Sequence, residues 1–154
     1  MTKARFMRLT ALLALLLLTA ALLLTGCKPT IDPVGTATLV ISANGITEEY
    51  SVPLSKLEEG KGALAALEYL KTEGKLDYKT DATGYITEVG ILKQNPSKNI
   101  YVGIWTSVEK DADVSGWIAD KDYNGSTLAP AGKGLSSMSL EDGCIIYIGE
   151  LIYG

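Results

Sequence analysis

The sequence predicts an α+β fold, with one amphipathic helix packed on a mostly antiparallel sheet of short strands and a separate leader in front. Three observations predict it. Helical periodicity occurs once after residue 35, alternating apolar and polar residues recur in short runs elsewhere, and two Asn-Gly pairs follow such runs. A single helix among many strands is the pattern in which the helix covers one face of a sheet.

The leader comes first. MTKARFMR carries Lys3, Arg5 and Arg8 with no acid, and Leu9 to Leu24 are all Leu, Ala or Thr. These are the charged and apolar regions of an export signal. The apolar run is shorter than the about 20 residues that span a hydrocarbon core. It ends in Leu24-Thr25-Gly26-Cys27, which resembles the lipobox of bacterial lipoproteins, where small residues fit the peptidase and only a thiol forms the thioether to diacylglycerol. The expectation is a lipoprotein signal peptide over 1–26, lipidation at Cys27, and a short stiff tether over 27–35 that contains Pro29 and Pro33. Two or more acyl chains, at about 0.8 kcal/mol per buried methylene, anchor stably. The first partner is therefore the membrane, met at the extracytoplasmic face of the cell membrane.

Residues 36–154 are long enough for one domain with one core. TATLVISA places Ala37, Leu39, Ile41 and Ala43 on one face, as in a half-buried strand. Asn44-Gly45 accepts the positive φ of a tight turn, and ITEEYSVPL returns with Ile46, Tyr50 and Val52. In GALAALEYLKTEG, Ala63, Leu64, Leu67 and Leu70 recur at helical spacing, with Gly74 as the C-terminal cap. LDYKT, GYITEVGIL and NIYVGIWTSV read as strands, then come the turn at Asn124-Gly125, a strand candidate in LSSMSL, and a last strand in CIIYIGELIY.

Composition excludes more than it proposes. The chain has no histidine and two cysteines, of which Cys27 is committed to the anchor. That removes Ser-His and Cys-His nucleophiles and any zinc cluster, so the chain reads as a binder and not an enzyme. Cys144, in an apolar run without basic neighbours, reads as a small buried hydrophobe. Residues 1–26 hold three basic residues and no acids, so the remainder carries 11 Lys and Arg against 18 Asp and Glu, a formal −7. Such a surface argues against nucleic acid as a partner.

The most distinctive stretch is DADVSGWIADKD, residues 111–122. Asp111, Asp113 and Ser115 match positions 1, 3 and 5 of a calcium loop, Gly116 the turn glycine, the Trp117 carbonyl position 7 and Asp122 position 12. Against this stand Asp in place of the usual Glu at position 12 and strand-like flanks. Calcium site and plain acidic turn both stay open. Tyr101, Trp105, Trp117 and Tyr123 are the candidate ligand-binding aromatics, with packing as the competing role.

The ordered set of leader, tether, hairpin, GALAALEYLK, Thr83-Gly84-Tyr85-Ile86-Thr87-Glu88-Val89-Gly90-Ile91, an aromatic strand and Leu140-Glu141-Asp142-Gly143 before the last strand resembles the transcobalamin-like C-terminal domain of bacterial lipoproteins. Either Trp105 or Trp117 fits that family's aromatic position. The resemblance, over about residues 36–153, implies a β-grasp-like domain that binds a corrinoid (a cobalamin-type ligand) or another small molecule, delivered to a transporter or other envelope protein. The alternative is a structural or adhesive module of the cell envelope, stiffened by calcium.

Overall fold

The computed structural model describes residues 28–152; the readings placed on residues 1–27, Cys27 included, lie outside them. In chain order the described residues form β1 (Thr36–Ala43), β2 (Ile46–Pro53), α1 (Leu64–Thr72), β3 (Tyr78–Thr80), β4 (Ile86–Val89), β5 (Leu92–Lys93), β6 (Ile100–Thr106), β7 (Lys121–Tyr123), β8 (Ser126–Pro130) and β9 (Ile145–Ile152). The fold is α+β, as expected. The strands make two sheets where one was expected: a six-stranded sheet ordered β2-β1-β9-β6-β8-β7 and a three-stranded sheet ordered β3-β4-β5.

The hairpin forms where the Asn-Gly signal put it, with Asn44 and Gly45 at φ 52° and 76°, both in the left-handed region a two-residue turn requires. At the centre of the sheet β1 and β9 run parallel, Thr38 beside Ile145, while the other pairings are antiparallel. A parallel pair needs a long crossover, and α1 is the helix within it. The helix closes as predicted: Gly74 N–H donates to the Lys71 carbonyl and Lys75 N–H to the Leu70 carbonyl, the paired bonds of a Schellman end.

The main core lies between one face of the large sheet, α1 and the small sheet. Leu39, Ile41, Ile146 and Ile148 meet Leu67 and Leu70 of the helix, Val89 and Leu92 of the small sheet, and Met138 and Leu140 of the last connection. Each such side chain, fully buried, contributes about 1.5–3 kcal/mol.

Three expectations give way. GYITEVGIL is not one strand: it folds back at Gly90-Ile91 into β4 and β5, with Val89 opposite Leu92. LSSMSL is not a strand but contains a 3-10 turn at Leu135–Ser137; its buried Leu135 and Met138 are three residues apart, a spacing a strand cannot put on one face. The segment read as a tether is bonded into the domain from Thr30 onward. Asp32 N–H donates to the Leu140 carbonyl at 2.9 Å, Leu140 N–H to the Thr30 carbonyl at 2.8 Å, and Leu54 N–H to the Gly35 carbonyl at 3.0 Å.

β1 is also not half-buried. Val40, on the face opposite Leu39 and Ile41, has no exposure. The cause is a curl of the six-stranded sheet. Its two edge strands, β7 and β2, meet where the Tyr123 hydroxyl donates to Glu49 Oε2, so the outer face closes over a second core of Val40, Trp105, Leu128 and Tyr147.

Candidate functional site

The inside of that curl gathers two of the four aromatics singled out in the sequence, with Tyr147 added by β9. Trp105 on β6 lies directly across from Tyr147. Their ring centroids are 5.9 Å apart at 84°, and Tyr123 meets Tyr147 at 5.5 Å and 62°, both edge-to-face. Space for the two large rings comes from glycine. Gly103 and Gly149 face each other two residues further along the same strands, and a Cβ on Gly103 would come within 2.5 Å of the Trp105 ring, one on Gly149 within 2.7 Å of Tyr147. The rings lie over bare backbone.

A cover and a cation complete the arrangement. Lys121 Nζ sits 5.1 Å from the centre of the Trp105 ring and 5.0 Å from that of Tyr147, within cation–π range of both. The Trp105 indole N–H donates to the Ala119 carbonyl at 2.9 Å. Hairpin β7–β8, which carries Lys121 and Tyr123, pairs with β6 only through Trp105 with Pro130 and Thr106 with Ala129. Leu128 of β8 is buried in the second core, Ala131 N–H donates to the Ile104 carbonyl at 2.8 Å, and Tyr123 bonds Glu49, a carboxylate that, with partial burial, pushes the Tyr123 phenol up to about 12.

Trp105 is thus 4% exposed and Tyr147 6%, a packed bed under the β7–β8 hairpin. Tyr101 lies on the same face, half-buried, opposite Leu151. Trp117 is not part of this group; it stands 90% exposed on the loop before β7. Lys121 was missed in the sequence, and Tyr147, though one of the aromatics of the strand-rich half, was not among the four candidates. The alternation of CIIYIGELIY already places Tyr147 and Gly149 on one face, but their partners were legible only with the β6–β9 register.

The acidic stretch is taken apart by the fold. Asp111 is buried, with Oδ1 accepting from Lys133 Nζ at 2.7 Å and Oδ2 from the Ser139 amide. Asp113 accepts from the Ser115 amide at 2.9 Å and hydroxyl at 2.7 Å, bonds that draw its carboxyl below the usual range. Asp122 lies on β7 and accepts from Thr127 at 2.9 Å. The five residues read as calcium ligands, Asp111, Asp113, Ser115, Trp117 and Asp122, are therefore not assembled as a set, since the first carboxylate is turned inward onto a lysine. No group of three or more His, Cys, Asp or Glu placed to hold a metal occurs among the described residues. Cys144 is a free, buried thiol, pushed up to about 11 by that burial.

Fold and site define a class: a small α+β domain whose curled sheet wraps an aromatic bed. Among solved structures, this chain is similar to haptocorrin, determined in complex with Cbi, at 15% identity and a TM-score of 0.52 over 78% of this chain. The chain spans about a quarter of haptocorrin, 25% of its length. It is also similar to a candidate metal-binding protein from Ruminococcus gnavus, at 13% identity and a TM-score of 0.49, covering 78% of this chain and 99% of that one. The first likeness is one of fold. No family model and no curated protein matches the chain.

Proposed function

We propose that this chain is a membrane-anchored extracytoplasmic binding module that receives a small flat ligand, of the cobalamin type or comparable, on the aromatic bed beneath hairpin β7–β8. The observation that carries the reading is the make-up of the bed, two aromatic rings seated over glycine backbone with a cation above them. Trp105, Tyr147 and Lys121 make a face suited to a flat, electron-rich molecule. The hairpin over it pairs with β6 at two residues, packs Leu128 into the bed and reaches β2 through one side-chain bond. Fold likeness to a protein determined with Cbi supports the choice of ligand, and the absence of histidine supports binding over catalysis. The β1–β9 parallel pair crossed by α1 supports a β-grasp-like arrangement.

Titration of the Trp117→Phe chain with cobalamin tests this, because Trp105 is then the only indole. Saturable quenching of Trp105 is expected, with faster hydrogen exchange of β7–β8 amides before binding than after. Quenching that rises linearly with cobalamin and leaves exchange unchanged would refute a site under the hairpin.

A further inference from the structure

Lys121 is the odd charge among the described residues. The ion pairs there engage Lys61, Lys71, Lys79, Lys93, Lys110 and Lys133. Lys28, Lys56, Lys75 and Lys98 have no carboxylate partner among those residues, and all four are exposed to water. Lys121 has none either, yet it is half-buried. Strand alternation is the cause, since β7 turns Lys121 and Tyr123 into the curl and leaves Asp122 outside. The acids nearby are otherwise placed. Asp120 is exposed, Asp122 accepts from Thr127, and Glu49, which reaches the curl from β2, accepts from Tyr123.

What Lys121 meets instead is ring surface. Its Nζ stands 5.1 Å from the centre of the Trp105 ring and 5.0 Å from that of Tyr147. Taking an ammonium partly out of water is costly unless something offsets the loss. Two ring faces offset part of it and leave the cation without an anion. The neighbouring surface is small and neutral. On the same face of the sheet, Thr47 and Ser42 continue the row of Gly149 and Gly103 across β2 and β1, and the Thr47 hydroxyl donates to Ser42 Oγ at 3.3 Å. A flat molecule laid along the rings therefore meets small side chains on the β2 side and one cation on the β7 side.

We propose that the ligand of this bed is a flat ring system bearing an anionic group, and that Lys121 is the specificity-determining residue that pairs with that group while Trp105 and Tyr147 hold the ring. This deepens the small-ligand reading above and rests on it. An ammonium is a compact point charge on a flexible stem, suited to an anion of the phosphate type, and half-burial makes the pairing stronger than it is in bulk water. The charge of the whole chain works the other way. Residues 27–154 carry a formal −7, so the surface at large does not attract anions and a preference for an anionic ligand arises at this site.

Flavin mononucleotide and riboflavin test this, because they share one flat ring, differ by a phosphate, and lose emission when the ring stacks on Trp or Tyr. Titrated with the full chain, the mononucleotide is expected to bind at least about tenfold more tightly than riboflavin at low salt, a gap that narrows as salt is added. Lys121→Met keeps the length of the stem and is expected to bring the mononucleotide down to the level of riboflavin, with riboflavin unchanged and the near-UV signal of the bed intact. Lys121→Arg is expected to keep the preference; where Lys121→Met melts early, this variant and the salt dependence of the wild-type chain decide. Equal affinity for the two flavins in the wild-type chain, or a preference that survives Lys121→Met, overturns the pairing and leaves the bed standing. If neither flavin is quenched the pairing is overturned as well, and the cobalamin titration above decides whether the bed stands.

Discussion

Replacing Asp111 by alanine is expected to lower the melting temperature by roughly 10 °C. The carboxylate is fully buried and holds two donors, the Lys133 ammonium and the Ser139 amide. Its loss leaves a buried N–H without an acceptor, about 1–3 kcal/mol. The broken ion pair adds a contribution at the low end of the about 3–5 kcal/mol typical of buried pairs, because the Lys133 side chain is 38% exposed and regains water. A total near 4 kcal/mol, at roughly 3 °C per kcal/mol for a domain of this size, gives a shift of this order. Lys133→Ala strands the carboxylate inside and is expected to cost as much. In a double-mutant cycle the pair is expected to cost less than the two single changes added. Thermal melts by far-UV circular dichroism, with calcium and with chelator, provide the readout. If Asp111→Ala melts like wild type in chelator and differs only by losing a calcium-induced rise, Asp111 is a metal ligand and the reasoning fails.

Gly103→Ala pushes a methyl into the Trp105 ring, since the new Cβ falls 2.5 Å from it; a loss of about 1–3 kcal/mol and an altered near-UV signal are expected, and unchanged values would show that the ring is not seated there. Tyr123 has its phenol raised from 10.0 to about 12, so its clasp is fully present below pH 10 and is lost as pH climbs through 12. Hydrogen exchange in β7–β8 should accelerate over that window in wild type and be fast throughout in Tyr123→Phe; Tyr50, also raised to about 12 but chiefly by burial, titrates in both. The Cys144 thiol, buried and raised to about 11, is expected to resist thiol reagents at neutral pH and to react on unfolding; fast native labelling would contradict its burial.

Local chemistry was legible in the sequence and long-range chemistry was not. Asn44-Gly45, the helix with its Gly74 end and the alternation of Ala37, Leu39, Ile41 and Ala43 are properties of neighbouring residues, and all three appear in the structure. The curl is a property of the whole sheet, so nothing near Val40 announces that its outer face is covered. The same limit governs the site. Trp105 could be named, but its seat on Gly103 and its partner Tyr147 depend on the register of two strands distant in the chain. Asp111 looked like the first ligand of a calcium loop because the residues that neutralise it, Lys133 and Ser139, stand far downstream.

The parallel pair at the centre of the sheet has a consequence for biosynthesis. Thr38 must find Ile145, so the middle of the sheet stays open until β9 has been made. Pairing across so long a stretch is slow and comes late. A ribosome-bound chain therefore holds β1 and β2 without the strand that locks them. Closure of the sheet is deferred until β9 has been made, a delay set by strand order.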